Sequence, residues 1–174
     1  MTINTSKRRA LYLGVAAVAG LTGAGLAWRH QASEDQTHAE LNVLWDAEFQ
    51  RPGGQRLKLS DYQGSGLVVN FWATWCPPCV EEMPLLDAFY RENSSKGWQV
   101  LGLAIDQPSQ VRRFLDQFPV SYPIGLAGLG GSELGRSLGN SEGALPFTVV
   151  VDAQGRVKQR KLGRLSESDV KSWV

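Results

Sequence analysis

An α/β domain built on a central mixed β-sheet flanked by helices is the fold class this sequence predicts, and three observations predict it. Residues 66–73, "GLVVNFWA", are nearly continuous in apolar side chains, as expected of a central strand covered on both faces. From Pro77 onward the apolar residues recur every three to four positions, which is the period of a helix. Farther along, "PFTVVVDAQGRVKQRKLG" holds two strand-like runs about a turn from Asp152 to Gly155, a clear hairpin signal.

Each element follows from its own residues. Near residue 41 the domain begins with "LNVLWDAEFQRPGGQRLKLSDYQG", whose short alternating stretches flank Pro52, Gly53 and Gly54. This predicts an N-terminal hairpin at the sheet edge with Pro-Gly-Gly as its turn. After the central strand, Val80, Met83, Leu86 and Tyr90 mark one face of a helix of about four turns. Pro77 and Pro78 suit its first turn, where N–H groups lack partners anyway, and Pro84 should bend it. "GWQVLGLAID", residues 97–106, is the next strand. Ser109 reads as an N-cap, followed by an amphipathic helix with Val111, Phe114, Leu115 and Phe118 on its apolar side. The looser "SYPIGLAGLGGSELGRSLGN" leaves room for a short strand and a short helix from about Ser132, and Ser166 opens a brief terminal helix.

The N-terminal region has a different character. Lys7, Arg8, Arg9 and Arg29 are the only charged side chains among the first 29 residues, and residues 10–28 carry none. Those 19 residues would span roughly 28 Å as a helix, enough for a thin bilayer core. With basic residues 1–9 on the cytoplasmic side, the positive-inside rule puts the chain beyond residue 28 on the far side of the membrane. A bacterial inner-membrane, single-pass anchor with a periplasmic domain is therefore one expectation. The other is a soluble periplasmic protein, since Gly25, Leu26 and Ala27 offer a cleavage site before Trp28. "KRRALYL" loosely resembles a twin-arginine export signal. Residues 29–40 are polar without an apolar period and read as a tether, leaving 41–174 as the folded domain.

Composition narrows the function. Of 18 basic and 17 acidic residues, four basic ones lie in the first 29 positions, so the remainder has a net charge of about −3 and gives no reason to expect nucleic-acid binding. Two cysteines do not make a disulfide framework. The only histidines, His30 and His38, lie far upstream of the cysteines, which argues against an intramolecular zinc site. No organic cofactor is required, and a monomer is expected.

Cys76 and Cys79 stand at the end of the central strand and the mouth of the helix. A thiolate at Cys76 faces the positive end of the helix dipole, which lowers its pKa. Cys79, about one turn on, is placed to attack a mixed disulfide at Cys76, so the pair suits thiol-disulfide exchange. Two thiolates also suit Cu(I), with Met83 as a soft third ligand, and a copper-delivering, metallochaperone-like protein is the alternative. Because neither Pro77 nor Pro78 has an N–H, the first backbone donor in the loop is that of Cys79, and the Cys76 pKa should be lowered without the depression of the strongest oxidants.

With "FWATWCPPC", a proline at position 84 and "GALPFTVVVDAQGRV", residues 41–174 resemble a thioredoxin-like domain of the membrane-anchored TlpA/ResA type, close to the cytochrome c maturation thiol reductases. The resemblance implies that Cys76 is the attacking thiol and Cys79 the resolving one, with the two forming the redox-active disulfide. It implies a cis peptide at Pro146 opposite them, so that the backbone at Leu145 pairs with a bound protein substrate. It sets Trp72 and Trp75 under and beside the dithiol, although either is equally a large core hydrophobe. Asn70 stands where cytoplasmic thioredoxins carry a buried aspartate, and it has no carboxylate to take the proton of Cys79. Glu82 matches an acidic position of the anchored reductases and is the expected substitute base, against the plainer reading of a solvated helix carboxylate beside Glu81. A membrane thiol-transfer reductase is implied as electron donor. The peroxidase pattern PxxxTxxC is not met, since Thr74 is two residues before Cys76.

Overall fold

The structure, a computed structural model, describes residues 41–174. The expectations for residues 1–9, 10–28 and 29–40 lie outside the described residues.

Alternation of side chains along the strands organises the domain. On β3 (Gly66–Trp72), every residue is buried, because helices cover both sheet faces. Val68 and Trp72 point to one face, where they pack with Cys79, Met83 and Leu86 of α2 (Pro77–Asn93), Val111 of α3 (Pro108–Gln117) and Val170 of α5 (Glu167–Lys171). Leu67, Val69 and Phe71 point to the other, against Leu44 of α1 (residues 41–46) and Leu134 of α4 (Gly128–Ser137).

Besides β3 the sheet contains β1 (Glu48–Gln50), β2 (Arg56–Lys58), β4 (Trp98–Ala104), β5 (Ile124–Leu126), β6 (Phe147–Val151) and β7 (Val157–Leu162). Their order is β2-β1-β5-β4-β3-β6-β7. β3, β4 and β5 run parallel, joined through helices, while β6 is antiparallel to β3 and the two hairpins occupy the edges. Both predicted hairpins are present, β1–β2 about Pro52–Gly54 and β6–β7 about Asp152–Gly155.

Three local expectations are corrected. Residues 41–46, read as part of the hairpin region, are helical. α3 is capped by Gln107 with Pro108 at its first position, so Ser109 lies inside the helix, and Phe118 falls past its end at 56% exposure. α4 starts at Gly128, four residues before the expected Ser132, despite the poor helix propensity of glycine. Of its glycines, Gly131 is required by close approach: a Cβ there would meet Ala127 Cβ at 2.6 Å.

Gly102 of β4 is required by close approach. A Cβ there would stand 2.6 Å from Ile124 Cδ1, 3.0 Å from Tyr122 Cε2 and 3.1 Å from Trp72 Nε1. Its absence leaves room for the Trp72 ring, whose centroid lies 5.4 Å from that of Phe114 on α3.

Candidate active site

β3 ends at Trp72, and the chain turns through Ala73, Thr74 and Trp75 before Cys76 caps α2. The Cys76 N–H donates to Ala73 O at 3.2 Å, which keeps the turn tight. Cys76 and Cys79 are joined as a disulfide with Cα atoms 5.3 Å apart. Cys76 is 4% exposed and Cys79 fully buried, so the first is the one nearer to a partner.

Pro77 and Pro78 occupy the first two helical positions and have no N–H; an N-cap side chain finds its donors at the second and third, so Pro78 removes one of them and leaves only Cys79. The Cys79 N–H, the nearest donor expected from the sequence, is taken: it donates to Cys76 O at 3.1 Å, and Val80 N–H does so at 3.2 Å. A Cys76 thiolate is thus left with the helix dipole but no loop N–H of its own. Pro78→Ala restores one donor and is expected to lower the Cys76 pKa by about one unit, worth ~1.4 kcal/mol. Thiolate ultraviolet absorbance against pH measures it, and an unchanged midpoint would count against the missing-donor account.

Glu82, three residues past Cys79 on the same helix, lies on the same side of α2, where Cβ atoms at this spacing are about 5–6 Å apart. It is not a solvated carboxylate: only 1% is exposed. Its Oε1 accepts from Asn70 Nδ2 at 2.7 Å and its Oε2 from the Leu165 N–H at 2.7 Å. Asn70 also donates to Thr148 Oγ1 at 3.0 Å, and sheet register explains why, since Asn70 pairs with Thr148 across β3–β6. Burial pushes the Glu82 carboxyl above its usual range, and the two hydrogen bonds and the nearby Arg164 only partly oppose this. Glu81 turns outward instead and pairs with Arg164 at 2.6 Å, both more than half exposed.

The Leu145–Pro146 peptide bond is cis. Phe147 pairs with Phe71 across β3–β6, which sets Pro146 level with Trp72 and the turn toward Cys76. Leu145 packs against the same cluster that holds both cysteines. Behind it, Asn140 closes the loop with Ala144 through its side chain, donating at 2.9 Å and accepting at 3.1 Å. The Gly163 N–H donates to Pro146 O at 2.8 Å, with Gly163 at φ +87°, a conformation glycine adopts without strain. Residues 163–165 therefore touch both the proline and, through Leu165, Glu82.

Trp72 is fully buried in the core with the cysteines, whereas Trp75 is 67% exposed beside Cys76. Met83 is 3% exposed in the core packing. Among the described residues no three His, Cys, Asp or Glu side chains gather as a metal site.

Sequence reasoning missed four contributors. Thr148 and Leu165 act through positions fixed by the fold, and Leu165 contributes only its backbone. Arg164 pairs across 83 positions. Asp106, the acid closing the β4 run, was the legible one. Its Oδ2 accepts from the Thr74 N–H at 3.1 Å and Thr74 Oγ1 at 2.5 Å, and its Oδ1 from the Gln107 N–H at 2.6 Å.

This arrangement has close counterparts. A thiol-disulfide oxidoreductase ResA from Geobacillus thermodenitrificans is 32% identical over 133 residues, covering 76% of this chain and 71% of that protein. A thiol:disulfide interchange protein of the thioredoxin family from Chlorobium tepidum superposes with a TM-score of 0.64 at 28% identity, over 74% of this chain and 90% of that one. For a secreted thiol-disulfide isomerase from Corynebacterium glutamicum the TM-score is 0.65 at 25% identity, over 74% and 81%. Residues 43–173 match the Redoxin family. A chain matched over nearly its whole folded part, with its two cysteines joined at the mouth of α2, belongs to the Redoxin family and is a ResA-like thiol-disulfide oxidoreductase.

Proposed function

We propose that this oxidoreductase works as a reductant of disulfides in extracytoplasmic proteins. One observation carries the direction: the Cys76 sulfur sits in a loop whose N–H groups are missing or already bonded to carbonyls. Strong oxidants of this chemistry stabilise their reduced form, whereas a thiolate with little stabilisation makes the dithiol the better electron donor.

In the reduced protein the Cys76 thiolate attacks one sulfur of a substrate disulfide, and the other substrate sulfur leaves as a thiolate that takes up a proton. Glu82 accepts the proton of Cys79, whose sulfur then attacks Cys76 Sγ. The mixed disulfide breaks, the substrate's second sulfur leaves as a thiolate and takes up a proton from water, Glu82 gives its proton back to solvent, and the protein holds the Cys76–Cys79 disulfide. Two electrons have passed to the substrate. A membrane thiol-transfer reductase returns them. Pro146 and Leu145 form the platform for the substrate backbone, and exposed Trp75 offers apolar contact next to the reacting sulfur.

The compartment is inferred from the charge-free residues 10–28 behind three basic residues, as an anchor in the bacterial inner membrane or a cleaved export signal, and the Corynebacterium relative is described as secreted. Apocytochrome c is the substrate class suggested by the motif's resemblance to cytochrome c maturation reductases.

Equilibration of the protein with glutathione and dithiothreitol buffers tests the direction. A potential of about −250 mV or lower is expected, and a value near about −120 mV would turn the assignment to an oxidant.

A further inference from the structure

The three hydrogen bonds of Asp106 have no part in the exchange steps above. Its carboxylate is half-buried at the C-terminal end of β4 and reaches into the turn that carries Cys76, holding both the N–H and the hydroxyl of Thr74. Ile105 N–H adds a bond to Trp72 O at 2.8 Å, so the 105–107 segment and the 72–74 segment are fastened side by side. Thr74 lies two residues from Cys76, and the Cys76 N–H folds back onto Ala73 O. Two residues of chain span at most about 7 Å, so the carboxylate, bonded to Thr74, stands on the order of 10 Å from the Cys76 sulfur.

We propose that Asp106 is a positioning residue that also sets the ionisation of Cys76, acting as a fixed negative charge against the positive end of α2. The claim rests on Cys76 being the thiol that ionises first.

The other charged groups on the surrounding elements are paired, buried or exposed: farther along α2 Asp87 pairs with Arg91 and Glu92 is exposed, and on α3 Asp116 is exposed. On α2, Glu81 is neutralised by Arg164 from the segment before α5, and Glu82 lies buried beneath Cys79. On α3, Arg112 donates to Pro52 O and Arg113 is exposed. Glu142 in the loop before Pro146 is exposed as well. Asp106 is thus the carboxylate bonded directly into the cysteine-bearing turn. A unit charge about 10 Å away at a partly screened position shifts a pKa by about half a unit.

Asp106→Asn keeps the size of the side chain and an acceptor for Thr74 while removing the charge. In this variant the Cys76 pKa, read from the pH dependence of iodoacetamide alkylation with the site assigned by mass spectrometry, is expected to fall by about half a unit. The dithiol form should gain about threefold against a glutathione buffer, and the difference from the wild type should shrink in about 1 M salt. Thr74→Val removes one bond to the carboxylate but leaves the charge, and its Cys76 pKa should stay at the wild-type value. Asp106→Ser, a second neutral variant, should reproduce the asparagine result and serves if the latter folds poorly. A neutral variant with wild-type Cys76 pKa, or a Thr74→Val shift equal to that of Asp106→Asn, would show a clamp with no electrostatic role and overturn the proposal. If Cys79 is alkylated first, the assignment of Cys76 as nucleophile falls, and the proposal with it.

Discussion

Cys79→Ser is expected to accumulate as a mixed disulfide with its substrate through Cys76, while Cys76→Ser forms no such adduct. The proposed division of roles rests on the unequal burial of the two cysteines. Cys76 sits at the N-cap with some exposure, beside the exposed Trp75, whereas Cys79 is sealed in the first turn of α2 with no surface of its own. An incoming disulfide therefore meets Cys76. Resolution then depends on a thiol held in place, and well-oriented intramolecular attack corresponds to effective concentrations of about 10⁵ M or more. No thiol in solution replaces that, so multiple turnover should fall by at least about a thousandfold while the first attack continues. A buried serine hydroxyl costs about 1–3 kcal/mol if left unpaired, which a folded domain tolerates. Non-reducing electrophoresis after mixing with a disulfide-bonded protein shows the adduct, and dithiothreitol releases it. Trapping by Cys76→Ser instead would reverse the two roles.

What was legible in the sequence is what local pattern determines. The run "GLVVNFWA" followed by the cysteines and a three-to-four period fixes a strand, a turn and a helix mouth within about 25 residues, and the structure places Cys76 at that mouth. The Pro-Gly-Gly and Asp152–Gly155 hairpins are equally local. α1 was missed because "LNVLWD" is too short for a period, and its helical state depends on Leu41 and Leu44 packing under the sheet. α4 hid behind four glycines, of which only Gly131 is demanded by close packing, against Ala127. At the site the burial of Glu82 could not be read from "VEEMP", since Glu81 and Glu82 are adjacent acids on one helix. What separates them lies elsewhere in the chain: Asn70 at 12 residues' distance and Leu165 at 83 close over Glu82, whereas Arg164 draws Glu81 outward. Trp72 and Trp75 divide in the same way, one covered by Phe114 and the other left beside the sulfur.

Glu82→Gln should slow the resolving step by about a hundredfold or more, the usual contribution of a positioned general base. Glutamine fills the same space without accepting a proton, so Cys79 must lose its proton to solvent. In the wild type the resolving rate should rise with pH through the Glu82 titration, and in the variant only through that of Cys79 itself. Single-turnover release of substrate across pH measures both, and superimposable profiles would rule the base out. Stability provides an independent check whose sign is set by burial. Because the folded-state pKa is raised above the ordinary value of 4.5, the native state holds a proton that the unfolded chain has lost between those two points. Stability contributed by Glu82 is therefore fully present below pH 4.5 and declines as pH rises through the folded pKa. Glutamine has no such slope. Its amide must also face a donor, Asn70 Nδ2 or the Leu165 N–H, at a cost of about 1–3 kcal/mol that does not vary with pH. Denaturant titrations should thus find the variant less stable than the wild type in acid, with the gap narrowing toward neutral pH. A gap that widens instead would mean that Glu82 is charged and held by its two donors, a hydrogen-bonded anchor for residues 163–165 and no proton carrier.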